Sequence, residues 1–184
     1  CVVTWQNAGR PGNIILVELG PGRGTLMVDI LETIKKVSQE FINALKVHLI
    51  ETSPVLKKQQ NEILKDYEIT WHKDLETIPW EPALIIANEF FDALPTEQYV
   101  MTESGWQQRH ITVDKKHNNL SFINIPFAKQ QSPIFPNQIS NAKIGSIFER
   151  NAISEGIMKS IAGRIRDNGI ASLIIDYGHT QTQL

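Results

Sequence analysis

The stretch from Ile14 to Val37 limits what this chain can fold into more than any other. Ile14-Ile15-Leu16-Val17 is a short unbroken apolar run, as expected of a strand covered on both faces. It leads into Glu18-Leu19-Gly20-Pro21-Gly22-Arg23-Gly24, where three glycines alternate with other residues. Leu26, Ile30, Ile34 and Val37 then recur at three- and four-residue steps, with Asp29, Glu32, Lys35 and Lys36 between them. That spacing predicts an amphipathic helix. Alternating glycines let the backbone turn sharply and keep side chains out of the space above it. The helix start adds free N–H groups and a positive dipole end. A loop of this kind accepts a nucleotide or a carboxylate, or serves only as a tight strand–helix turn.

The same alternation continues along the chain. Val47-His48-Leu49-Ile50 is expected as the second strand, and Ser53-Pro54 opens a helix to about Leu64 as N-cap and first helical residue. A weaker strand is expected from Glu68 to His72 and a clearer one over Ala83-Leu84-Ile85-Ile86-Ala87. Strand and helix alternating at this spacing predict a doubly wound α/β fold with a mostly parallel sheet. Residues 98–146 break the pattern. Gln98 to Val113 carries β-formers around Ser104-Gly105, a hairpin signal, and another β segment is expected near Leu120 to Ile125. Pro126 to Ser146, rich in Pro, Gln, Asn and Ser, reads as an irregular connection. Ile157, Met158, Ile161 and Ile165 then mark a helix ending at Asn168-Gly169, and Ile170 to Ile175 a final strand before Asp176-Tyr177-Gly178-His179. The organisation expected is one partial domain over 1–184. Its parts are a ligand-binding half at 13–95, a β insertion and loop at 98–146, and a last helix and strand at 147–179.

Composition removes whole classes of function. Eighteen basic against 20 acidic residues leave a net charge of −2, so no bulk field favours nucleic acid or an anionic membrane. No apolar run approaches the ~18 residues that span a bilayer, and no secretory signal pattern is present. The single cysteine, Cys1, excludes an internal disulfide framework. His48, His72, His110, His117 and His179 lack metal-ligand spacing, so no metal is expected. Lys57-Lys58 and Arg164/Arg166 read as solvated helix faces. A first residue that is not methionine, and an end soon after a strongly apolar run, predict a piece of a longer protein or half of a split gene.

Five acids and an amide carry the chemistry. Glu18 lies two residues before Gly20, and the loop reads G-x-G-x-G rather than the dinucleotide pattern G-x-G-x-x-G. An acid here repels a pyrophosphate but suits the ammonium of an amino acid, as carried by S-adenosylmethionine. Glu51, at the end of the second strand, lies where open α/β sheets bind ligands and can accept from both hydroxyls of a ribose. Asp74, after the third strand, can take an adenine amine or simply cap the turn Asp74-Leu75-Glu76. Asn88-Glu89-Phe90-Phe91-Asp92 sets an amide, two carboxylates and two aromatics at one sheet edge. A cationic substrate would find acids to orient it and faces to stack on. The other reading makes Phe90 and Phe91 core and Glu89 and Asp92 helix caps.

Val17 to Met27 (V-E-L-G-P-G-R-G-T-L-M), His48 to Pro54 (H-L-I-E-T-S-P), Ala87 to Pro95 (A-N-E-F-F-D-A-L-P) and Leu173 to His179 (L-I-I-D-Y-G-H) occur in this order. Together they resemble the MidA-like methyltransferases, class I S-adenosylmethionine-dependent proteins. That family includes relatives of a mitochondrial complex I assembly factor that methylates arginine on a complex I subunit. The resemblance implies that the loop Glu18, Gly20, Pro21, Gly22 and Gly24 holds the methionine part of the cofactor and Glu51 the ribose. It implies that Asn88, Glu89 and Asp92 line the transfer site. It implies a Rossmann-like sheet whose last two strands are absent here, a protein substrate, and a separately encoded C-terminal fragment as one partner. The compartment implied is the cytoplasm in a bacterium and the mitochondrial matrix in a eukaryote. Two rivals stand beside this reading: a methyltransferase-like module without catalysis, and an NAD(P)-dependent oxidoreductase sharing the strand–glycine–helix start and the acid after the second strand.

Overall fold

The structure, a computed structural model, describes residues 1–114, 116, 118–127 and 135–178. His117, His179 and part of the expected Pro126–Ser146 connection lie outside the described residues. The chain forms two compact units, one of Cys1–Ala93 with Ser154–Tyr177, the other built on Leu94–Ile153.

The first unit holds a five-stranded parallel sheet. Its strands are β1 (Ile14–Leu19), β2 (Leu45–Ile50), β3 (Ile69–His72), β4 (Ala83–Asn88) and, much later in the chain, β9 (Ile170–Ile175). Their order in space is β3-β2-β1-β4-β9. The chain runs outward from β1 to β3, then jumps back to place β4 on the other side of β1. The direction of winding reverses there, and the crevice beyond the carboxyl ends of β1 and β4 is where such sheets bind ligands.

Continuous apolar runs make this sheet possible because both faces are covered. Ile14 and Leu16, with Val47, Leu49, Leu84 and Ile86, pack against Met27, Leu31 and Ile34 of α2 (Thr25–Val37). Trp5 of α1 (Val2–Asn7) and Phe41 of α3 (Gln39–Ala44) join that core, their rings stacked 4.8 Å apart. Ile15, Val17 and Leu19, with Ala83, Ile85 and Ala87, face the opposite core, which includes Ile161 of α5 (Ala152–Asn168). Each branched side chain so buried contributes about 1.5–3 kcal/mol. Between β2 and β3 runs α4 (Pro54–Ile63), started by the Ser53 hydroxyl, which accepts from the Leu56 amide at 3.3 Å.

The second unit is an antiparallel sheet in the order β7-β6-β5-β8, from β5 (Glu97–Thr102), β6 (Gly105–Asp114), β7 (Asn119–Ile125) and β8 (Ile147–Arg150). The hairpin expected at Ser104-Gly105 pairs Thr102 with Gly105. Tyr99, Phe148, Trp106 and Phe135 form its aromatic core, with Trp106 stacked on Phe135 at 5.4 Å.

Two expectations need correcting. The buried stripe of α2 is Met27, Leu31 and Ile34, with Leu26 and Ile30 at its margin and Val37 65% exposed. The helix is therefore rotated by about one position from the expected stripe, because Met27 fills the core facing β1. Arg164, expected on a solvated face, is 3% exposed. Its guanidinium donates to the carbonyls of Leu75, Pro79 and Ile78 and lies 4.6 Å over the Trp80 ring. Of the two arginines, Arg166 behaves as expected, exposed and bonded to Asp167; Lys58 is exposed as well. Helices α1 and α3 and strand β8 carried no clear sequence signal.

Candidate functional site

Every candidate residue falls in the first unit, at the carboxyl ends of β1 to β4. The glycine loop leaves β1 and is tied to β2 where the Gly20 amide donates to the Ile50 carbonyl at 3.0 Å. Gly20, Gly22 and Gly24 all have left-handed φ, +62°, +55° and +84°, a region that costs other residues roughly 1–2 kcal/mol. Space separates their roles. A Cβ on Gly20 would lie 2.7 Å from the Phe90 ring, and one on Gly24 would lie 3.2 Å from Gln60 and Ile63. A Cβ on Gly22 would meet nothing within 4 Å. Gly20 and Gly24 thus serve packing, whereas Gly22 faces open space. Pro21 is buried, and its carbonyl accepts from the Gly24 amide at 2.7 Å.

Glu18 sits within β1 at 3% exposure. One carboxylate oxygen, Oε2, is buried with no hydrogen-bond partner among the described residues. Burial pushes this carboxyl from 4.5 up to about 7, a cost of about 3 kcal/mol to keep it charged at high pH. An orphaned buried carboxylate needs a reason to persist.

Glu51 is 8% exposed and held from two sides. The Ser53 amide donates to Oε1 at 2.8 Å, and the Gln60 side-chain amide donates to Oε2 at 3.2 Å. Each oxygen keeps a further acceptor direction, so the carboxylate can take a vicinal diol. Asp74 caps the turn expected of it, with Oδ1 accepting from the Thr77 amide at 3.1 Å. Nearby, His48 Nδ1 and His72 Nε2 share a hydrogen bond of 2.8 Å. Burial holds the His48 ring down to about 4 and lowers His72 as well, so the pair is neutral at pH 7. Among the described residues no group of three or more His, Cys, Asp or Glu could hold a metal.

After β4 the backbone turns at Glu89, whose φ of +48° is unusual for a residue with a side chain. Strain of this kind persists where the surroundings over-determine it. Here the Glu89 amide donates to the Ile175 carbonyl at 2.8 Å. Asp176, just past β9, accepts from the amides of Phe91 and Asp92 on Oδ2 at 3.1 and 3.0 Å. The Tyr177 hydroxyl donates to Glu89 Oε1 at 3.1 Å. Phe90 and Phe91 are half-buried, set edge to face at 5.2 Å, and pack on the second core. Asn88 ends β4 half-buried, while Glu89 and Asp92 are exposed. The structure thus brings Asn88, Glu89 and Asp92 into one turn. That turn is braced by Asp176 and Tyr177, which the sequence marks only as part of the Leu173 to His179 motif.

Replacing Asp176 by alanine leaves the Phe91 and Asp92 amides without an acceptor, at about 1–3 kcal/mol for a group that stays desolvated. Both amides are exposed enough to find water, so local loosening is the expected outcome. Hydrogen exchange at Phe91 and Asp92 should speed up about tenfold, with β1 amides unchanged; equal protection in the variant would show that Asp176 does not brace the turn.

The first unit is thus a Rossmann-like sheet with a glycine loop after β1, an acid after β2 and an acidic turn after β4. Residues 1–184 match the family model described as "Putative S-adenosyl-L-methionine-dependent methyltransferase", and the chain belongs to that family. The mitochondrial protein arginine methyltransferase NDUFAF7 of Danio rerio is 31% identical over 207 residues, covering 100% of this chain and 48% of the relative. Its Drosophila melanogaster homologue is 32% identical over 204 residues, covering 97% and 46%. The chain spans about half the length of the curated relatives it matches. The fold is also that of a Burkholderia thailandensis protein crystallised with S-adenosyl-homocysteine, with TM-score 0.75, 18% identity and coverage of 97% of this chain and 44% of that one. No helix among the described residues is long and apolar enough to cross a membrane.

Proposed function

We propose that this chain forms the cofactor-binding part of an S-adenosylmethionine-dependent protein arginine N-methyltransferase. The observation that carries this reading is the buried, unpartnered oxygen of Glu18 at the start of a loop whose central Gly22 opens onto free space. The residues fit an adenosyl amino acid: Glu18 for its ammonium, Gly22 for close backbone approach, and Glu51 for the ribose hydroxyls. Asp74, whose Oδ1 already caps its turn, is left with Oδ2 for an adenine amine. The 98–146 segment is read as an insertion into this domain.

The cofactor supplies an electrophilic methyl on a sulfonium cation. The chain's own residues then have to bring a nitrogen to it. A guanidinium is charged at any physiological pH, so orientation matters more than deprotonation alone. Glu89 and Asp92, on a turn held by Asp176 and with Glu89 fixed by the Tyr177 hydroxyl, can hold such a group in a defined direction. The hydrogen bond to Glu89 raises the Tyr177 hydroxyl, so it stays a donor at neutral pH. Glu89 and Asp92 would lie against a guanidinium nitrogen that gains the methyl as the methyl–sulfur bond breaks and its electron pair returns to sulfur. One carboxylate would take the proton that nitrogen gives up, and both would stabilise the charge that moves there.

Arginine as the target is supported by the names of the relatives. The link to respiratory complex I rests on the resemblance of the four motifs. A matrix location in a eukaryote, or a cytoplasmic one in a bacterium, follows from the same reading. Calorimetry with the full chain should show binding of S-adenosyl-homocysteine and none of NADH; NADH binding alone would restore the oxidoreductase reading. Incubation with labelled cofactor and a mitochondrial or bacterial protein extract should then give methylarginine by mass spectrometry. Methylation confined to lysine or carboxyl groups would overturn the arginine assignment.

A further inference from the structure

One residue of this site was invisible to motif reasoning: Gln60, on α4 and fully buried. We propose that Gln60 is a positioning residue for ribose recognition, aiming the Glu51 carboxylate and tying it to the glycine loop. The inference rests on the reading of this crevice as an adenosyl site.

The geometry leaves the amide one orientation. Trp71 of β3 donates its indole N–H to Gln60 Oε1 at 2.9 Å, and an indole can only donate. The NH2 end therefore points the other way, where it donates to the Gly22 carbonyl at 2.7 Å and to Glu51 Oε2 at 3.2 Å. Flipping the amide would set its oxygen against two acceptors and strand the indole. Both N–H groups and one carbonyl lone pair are used, in a place without water access to compensate a lost bond. Its Cγ lies over Gly24, where a Cβ would stand only 3.2 Å away, so the absence of a side chain at 24 leaves Gln60 its place.

The consequence falls on Glu51. With the Ser53 amide on Oε1 and the Gln60 amide on Oε2, the plane of the carboxylate is set before any ligand arrives. Each oxygen is left with a further acceptor direction, which suits the two hydroxyls of a vicinal diol. Pre-setting a hydrogen-bonding group removes ordering costs at the moment of binding. Trp71 takes part without being needed at the ligand, because it fixes which end of the amide faces Glu51. Gly22, the open glycine, is bound to the same amide through its carbonyl, so one side chain links the loop to the ribose acid.

The test compares S-adenosyl-homocysteine with its 2′-deoxyribose analogue, titrated into the full chain. Wild type should prefer the ribose ligand by about tenfold, the effect of one charge-assisted hydrogen bond. Gln60→Met keeps the volume but offers no polar partner. It should weaken the ribose ligand about tenfold and leave the deoxy analogue within about twofold, so that the preference collapses. Trp71→Phe should reduce the same preference by about threefold, and it provides the test if Gln60→Met fails to fold. In Glu51→Gln the preference should already be lost, with Gln60→Met adding little further.

Equal losses for both ligands in Gln60→Met and Trp71→Phe would mean that Gln60 only supports the fold, and would overturn the proposal. So would an unchanged preference in both. A wild type that binds both ligands equally would remove Glu51 from the ribose and the proposal with it, while the cofactor reading stands. A wild type that binds neither would overturn that reading as well.

Discussion

Gly22→Val abolishes binding of S-adenosyl-homocysteine while leaving the protein folded. The two halves of this expectation come from different facts. Gly22 has φ +55°, so valine there bears about 1–2 kcal/mol of backbone strain. That is a modest fraction of the 5–15 kcal/mol by which domains are stable. A Cβ at this position meets no described atom within 4 Å, so an isopropyl group would project into the open space that the proposed reading gives to the ligand. An affinity loss of at least about 100-fold, or about 2.7 kcal/mol, is expected in calorimetry. Far-ultraviolet circular dichroism should be unchanged and the melting temperature about 2–8 °C lower, at about 2–4 °C per kcal/mol for a chain of this size. Gly22→Ala, with similar strain and one methyl, should lose about tenfold. The neighbouring glycines give the contrast. Gly20→Ala drives a methyl into Phe90 at 2.7 Å, so it should destabilise folding before it affects binding. Undiminished affinity in Gly22→Val would mean that the loop does not cradle the ligand.

The same contrast explains what the sequence could and could not disclose. Local patterns were enough for the parallel sheet. Ile14-Ile15-Leu16-Val17 and Ala83 to Ala87 are apolar at every position because both sheet faces are covered, and no long-range knowledge is needed to see that. The glycine loop and the acid at the end of β2 were legible for a similar reason: each lies within a few residues of a strand end. What stayed hidden depends on contacts between distant segments. Asp176 braces Phe91 and Asp92 from 85 and 84 positions away. Gln60 joins residues of β2, β3 and the loop after β1. A faint signal existed, since Gln60 lies four residues after Leu56 and four before Leu64 on a helix whose apolar side faces the core. A polar residue on such a stripe marks a buried hydrogen bond. Arg164 shows the same signature, three residues after the buried Ile161. Its charge suggested water; its position on the helix dictated burial.

Glu18 carries the other large effect, and its sign differs between the free and bound protein. Folding raises this carboxyl from 4.5 to about 7 by burial alone, so the folded state holds a proton that the unfolded chain releases. Below about pH 4.5 both states are protonated and nothing is lost. Between about 4.5 and 7 the folded state falls progressively behind, and above about 7 the full cost of about 3 kcal/mol applies. Glu18→Gln has no such titration. It bears instead about 1 kcal/mol for a buried amide without partners, so at pH 8 it should be more stable than wild type by about 2 kcal/mol. At pH 4.5 that advantage should vanish or reverse. Ligand inverts the ranking. An ammonium beside Glu18 favours the charged form, so wild-type affinity for S-adenosyl-homocysteine should rise with pH up to about 7 and then level off. The variant should bind at least tenfold more weakly at pH 8, with a flat profile between pH 5 and 8. Thermal melts with and without ligand at pH 5 and pH 8 read both effects in one series. A variant that is stabilised at pH 8 yet binds as tightly as wild type would leave the buried acid without a cationic partner and remove it from the site.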